Sequence, residues 1–259
     1  MKRPARLLWF LILALASPIA RGGSFTDDFS SGLNPAYWTV AQTTPGLFTV
    51  DTTQGNVHLS RTNSTISGFQ YVKISLNLAE AAGQAAIAGD FTARIDFSGA
   101  MLAGNGDVQA EFQSLFQDGS GLFDNRSNDP MPGTTAPTEN VHVWNFDGNL
   151  HGYTPVTSDS GTFTIARAGS TLAGYFDNTL LFSETNASPL TDISFVLQNY
   201  SGRDPIAITF DNFSLTTAVP EPSSATLLGI GIVAAGRCVE RRRRQSRRRP
   251  ARSRTSAAR

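Results

Sequence analysis

The chain has 259 residues, 21 of them Lys or Arg and 21 Asp or Glu, with a single cysteine. The neutral total hides three unlike parts: residues 1–21 carry four bases and no acid, residues 22–218 carry 19 acids against 6 bases, and residues 219–259 carry 11 arginines against two glutamates. The acidic centre would repel phosphates, which excludes nucleic acid as its partner. Its lack of cysteine excludes a disulfide-stapled fold.

The N-terminal part reads as a secretory signal. Lys2, Arg3 and Arg6 precede an apolar run at 7–16 that is too short to span a bilayer. Small residues follow, among them Ala16, Ser17, Ala20 and Gly22. Pro18 disfavours a cut after Ser17, so cleavage is expected between Ala20 and Gly23, giving a signal peptide at 1–22. The other reading is a retained membrane anchor.

Residues 23–218 are long enough for one domain with its own core. Strand-like runs at 25–29, 47–51, 56–61, 91–97, 108–116, 141–146, 193–198 and 206–215 alternate with Gly, Asn, Ser and Thr. The alanine-rich stretch 78–87 reads as a short helix or a strand entry. Residues 162–182 read as a three-stranded meander, turning at Ala168-Gly169-Ser170 and at Asp177-Asn178, where small residues supply the positive φ of tight hairpins. Many short antiparallel strands hide their apolar faces only in a sandwich or barrel, so an all-β domain is expected.

Asp107, Gln109, Glu111 and Gln113 alternate along one run and should share a strand face. The plain reading is a solvated face. His58, His142 and His151 have no zinc-binding spacing and read as ordinary surface or loop residues. No Gly-x-Ser-x-Gly elbow is present, and Gly104-Asn105-Gly106 is explained by turn chemistry. Trp144, Tyr153 and Tyr200 are candidates for stacking on sugar rings, with Asn145, Asp147 and Gln198 as polar neighbours. The competing reading of each aromatic is core packing.

At the C-terminal end, Val219-Pro220-Glu221-Pro222-Ser223-Ser224 precedes an apolar run at 225–236, and Arg237 and Arg241 to Arg244 follow. The prolines disfavour helix and ladder pairing. The run is a weak, somewhat short membrane segment, and the arginines hold its far end in the cytoplasm. This order, centred on Pro220, Glu221 and Pro222, resembles the PEP-CTERM sorting signal of bacterial exosortase systems. The resemblance implies a sorting signal at 219–244, a basic tail at 245–259, and an exosortase-type enzyme that cuts near the motif. It also implies transient membrane contact and delivery to the cell surface or extracellular matrix of a bacterium that makes exopolysaccharide. Cys238 and Glu240 depart from the usual clean junction between the apolar run and the arginines.

Residues 24–33, with Trp38 beyond, are similar to the opening strand of concanavalin-like and laminin G-like jelly rolls, and 209–215 to their closing strand. The resemblance implies two stacked antiparallel sheets, one of them concave, with first and last strands side by side. Laminarinase-type hydrolases of this fold carry alternating carboxylates on one strand. Against that pattern Gln109 replaces the middle acid and Asp107 is a short substitute for the first, so no catalytic residue is assigned and no enzyme activity is expected. The resemblance also implies a structural calcium ion at Asp27, Asp28 and Asp211. The function expected is a non-catalytic exported surface or matrix protein. The alternative is a carbohydrate-binding module using the concave sheet, and a glycoside hydrolase is the least favoured reading.

Overall fold

The computed structural model describes residues 23–62, 66, 68–102, 108–127, 140–145, 150–155, 158–199 and 205–218. In chain order its strands are β1 (Ser24–Asp27), β2 (Trp38–Gln42), β3 (Thr49–Asp51), β4 (Val57–Arg61), β5 (Gln70–Leu76), β6 (Phe91–Met101), β7 (Val108–Phe116) and β8 (Gly121–Ser127). They continue as β9 (Asn140–Asn145), β10 (Leu150–Pro155), β11 (Gly161–Ala168), β12 (Thr171–Phe176), β13 (Thr179–Thr185), β14 (Leu190–Asn199) and β15 (Ile206–Thr217). A short helix α1 (Leu78–Ala82) buries Leu78 and ends at Gly83, whose φ of 69° is the left-handed cap that glycine adopts without strain. The alanine-rich stretch thus resolves into a helix, followed by a single bridge from Ile87 to Leu190.

All the strand pairs are antiparallel and form two sheets. One has the order β13-β12-β11-β6-β15-β4-β3, with β1 also on β15; the other has the order β10-β9-β8-β7-β14-β5-β2. The first and last strands lie side by side, with Ser24 opposite Thr216 and Asp27 opposite Phe213. One edge of β15 is shared: β4 pairs with 206–210 and β1 with 213–216. The change falls at a register shift between Asp211 and Ser214, where Asn212 has φ 51°. The meander is β11, β12 and β13, and Gly169, Asp177 and Asn178 at its corners all have positive φ.

Period-two alternation sends one side of each sheet into a common core. Strand β5 is a clear case: Gln70, Val72, Ile74 and Leu76 are buried and the residues between them are not. Aromatic rings fill the gap between the sheets. Trp38 meets Phe213 edge-on at 5.1 Å, Phe195 and Phe210 lie 4.8 Å apart, and Phe97 stacks on Phe163 at 4.7 Å.

Candidate functional site

The face of the seven-stranded sheet turned away from the core carries a polar row. Core-side residues on β7 and β14 are Phe112, Ala110, Phe195 and Leu197, so Gln109, Glu111 and Gln113 share the outer face with Ser194, Val196 and Gln198. Register places Gln109 opposite Gln198 and Glu111 opposite Val196. On the other side of β7, Ser127 pairs with Gln109 and Asn125 with Glu111. Beyond β8, His142 pairs with Asn125 and Asn140 with Ser127. Amides and one imidazole from four adjacent strands thus flank the Glu111 carboxylate.

That carboxylate is held from two sides. Gln198 Nε2 donates to Glu111 Oε1 at 2.6 Å and to Gln109 Oε1 at 2.8 Å. Gln113 Nε2 donates to Glu111 Oε2. The face is not solvated, contrary to the sequence expectation: Glu111 is 5% exposed, Gln109 6% and Gln198 5%. Polar groups buried at that level are kept by mutual hydrogen bonding, which is the physical reason the strip packs instead of projecting into water.

His142 also departs from expectation. It lies within β9 and is 1% exposed, not on the surface or in a loop. Its Nδ1 is 2.7 Å from Asn140 Oδ1, and burial pushes its pKa down to about 3. The imidazole is therefore neutral at physiological pH. The signal for this row was available in the stretch Asn140-Val141-His142-Val143, where the two buried valines turn Asn140 and His142 to the other face.

Of the remaining expected residues, Trp144, Asn145 and Tyr153 lie on the adjacent strands β9 and β10, beside the row. Trp144 pairs with Phe123 and with Leu150, and Tyr153 pairs with His142. Asn145 lies one residue along from Trp144 and donates to Glu184 Oε2 of β13 at 3.2 Å, toward the other sheet. Tyr200, Asp147, Asp107, Gly104-Asn105-Gly106 and the sorting residues Pro220, Glu221 and Pro222 lie outside the described residues. Asn125 is buried within β8.

At the other end of the fold the three aspartates close turns. Asp27 accepts from the Phe29 backbone N–H at 2.8 Å and from Trp38 Nε1 at 2.8 Å. The Ser30 hydroxyl first, and then the Ser30 N–H that donates to Asp28 Oδ1 at 3.0 Å, hold the Asp28 pKa below its ordinary value. Asp211 accepts from the Asn212 N–H at 2.7 Å. Among the described residues no three His, Cys, Asp or Glu side chains gather as a metal site.

A second carboxylate is buried in the core itself. Asp124 of β8 lies between Phe112 and Val143 in the sheet and is 0% exposed. It faces Gly174 of β12 so closely that a Cβ at 174 would collide with Asp124 Oδ1. Burial pushes its pKa well above the ordinary value. The backbone N–H groups of Tyr175 and Thr164 offset part of that effect without reaching hydrogen-bond geometry.

Two sheets in this order define a jelly-roll sandwich, and solved structures agree. The GlcNAcα1-4Gal-releasing endo-β-galactosidase from Clostridium perfringens superposes with TM-score 0.51 at 14% identity, over 80% of this chain and 66% of that one. Bacillus licheniformis β-glucanase gives 0.50 at 14%, over 76% and 99%. A structure described with endo-acting O-glycanases of the human gut microbiota gives 0.51 at 10%, over 74% and 98%. At such identities the likeness is one of fold. No curated protein sequence is detectably similar to the chain. Residues 218–244 match the PEP-CTERM protein-sorting motif. The chain is therefore an exported jelly-roll protein with a C-terminal sorting signal. Among the described residues no helix is long and apolar enough to cross a membrane; the apolar run at 225–236 lies outside them.

Proposed function

We propose that the protein is a non-catalytic component of the bacterial surface or extracellular matrix, exported by the signal peptide at 1–22. An exosortase-type enzyme processes it at Pro220, Glu221 and Pro222. The motif match over 218–244 supports the processing. The non-catalytic reading is carried by the surroundings of Glu111. Retaining glycoside hydrolysis uses two carboxyl groups about 5 Å apart, one as nucleophile and one as acid. The neighbour of Glu111 on the same face is Gln109, an amide that supplies neither, and both Glu111 oxygens accept from side-chain amides. A proton on either oxygen would confront an N–H donor. The test is reducing-sugar release from β-glucans by the exported protein. No release is expected; release abolished by Glu111→Gln would overturn the reading.

A second reading is a carbohydrate-binding module with exopolysaccharide as the partner; the endo-β-galactosidase and the β-glucanase that share the fold are named for glycan substrates. The row of Gln109, Gln198, Asn125, Asn140 and His142 is buried, so contact with a glycan falls to other residues of the domain. A glycan array checks this: binding to neutral glycans supports it, and an array without signal removes it.

A further inference from the structure

The two ends of the domain meet at one corner, and that corner is built. The Gly23 N–H donates to Thr217 Oγ1 at 2.9 Å, and the Thr217 N–H returns to the Gly23 carbonyl at 2.8 Å. One residue further on, the Ala218 N–H donates to the Asp90 carbonyl at 2.9 Å. The stretch that receives it is itself pinned. The Arg167 guanidinium donates to the carbonyls of Ile87 at 2.7 Å and Gly89 at 3.1 Å, and also to that of Ser188. It lies 5.2 Å from the centre of the Phe91 ring. Asp90 Oδ1 takes the Gly169 N–H at 2.7 Å. The buried Arg167, through its hydrogen bonds to carbonyls, fixes the stretch to which the last residue of the domain is bonded.

The sorting motif begins at residue 218, the residue this corner holds. Val219 alone separates Ala218 from Pro220. A peptidase takes its substrate as an extended segment that pairs with its cleft. Whether water or an acceptor amine attacks the carbonyl, with the tail leaving as the amine, residues on the domain side of the cut must enter that cleft. We propose that the Gly23–Thr217–Ala218–Asp90 corner is a rigid stop that limits the processing enzyme to residues from Val219 onward, and that release of Ala218 from Asp90 precedes the cut. This rests on the processing reading above.

The test is pulse-chase labelling in the native host of the full chain and of a chain with a six-residue Gly-Ser spacer between Ala218 and Val219. The spacer chain is expected to mature about fivefold faster, the factor that one neutral backbone hydrogen bond contributes. Equal rates, or slower maturation with the spacer, would overturn the stop while leaving the processing reading intact. Failure of both chains to mature would overturn both. Proteinase K digestion of the full-length protein gives an independent readout. The resistant fragment is expected to end between residues 218 and 222, and one that ends within β15 would show that the corner is not rigid and overturn the proposal.

Discussion

Gln198 Nε2 reaches across from β14 to Glu111 Oε1 of β7 at 2.6 Å, so the Glu111 carboxylate is tied to the neighbouring strand by an amide. The same nitrogen also serves Gln109 at 2.8 Å. Replacing Gln198 with leucine removes both bonds in a buried setting. The cost expected is roughly 1–3 kcal/mol, read as a lower denaturant midpoint at unchanged slope. An unchanged midpoint would mean that the row does not hold the strands together.

Asp124 makes stability depend on pH in one direction. Its folded pKa is raised by burial, so its contribution is fully present below the unfolded carboxylate value and is lost as pH rises toward the folded value. Neither Phe112, Val143 nor Gly174 around it carries a compensating charge. Asp124→Asn is therefore expected to raise the melting point at pH 7 and to have little effect near pH 4. The opposite pattern would indicate an ionised, paired carboxylate. Gly174→Ala should destabilise at every pH, because the carboxylate occupies the space of the new methyl group.

His142 acts in the opposite direction. Its pKa falls from 6.5 to about 3 on folding, so the stability it lends is present above pH 6.5 and is lost as pH falls through that interval. His142→Gln should flatten the acid limb of a melting-point profile between pH 6 and pH 4. A limb unchanged by the substitution would assign acid sensitivity to other groups.

Asp27 joins the first strand to the core by accepting from Trp38 Nε1 and from Phe29, whose φ of 52° is costly for a bulky residue. Asp27→Ala leaves a buried indole N–H without that acceptor and should cost about 1–3 kcal/mol. Since Asp27, Asp28 and Asp211 are engaged in these turns, the wild type is expected to melt at one temperature in calcium and in chelator. A rise in calcium that Asp211→Ala abolishes would place an ion there instead.

Much of the sandwich was legible because alternation and turn chemistry coincide. The meander at 162–182 has its glycine, aspartate and asparagine where positive φ is needed, and the pairing of β1 with β15 followed from a resemblance at both ends. Strands β2, β5, β8 and β10 lie outside the runs read from the sequence. Strand β5 alternates plainly, but β8 ends in Asp124-Asn125-Arg126-Ser127, which reads as turn chemistry and is instead buried within the sheet. Tertiary context overrode local preference there, since Gly174 on the opposite sheet makes room for the aspartate. The face shared by Gln109, Glu111 and Gln113 was legible from spacing. Its burial was not, because burial depends on Gln198 and on amides of strands distant in sequence.

The mass of the mature protein, recovered from the surface or medium of the native host, bears most directly on export with C-terminal processing. The expected species begins between residues 21 and 23 and ends between residues 219 and 223, without the arginines from Arg237 onward. Surface protein that retains the tail through Arg259 would contradict processing at Pro220-Glu221-Pro222.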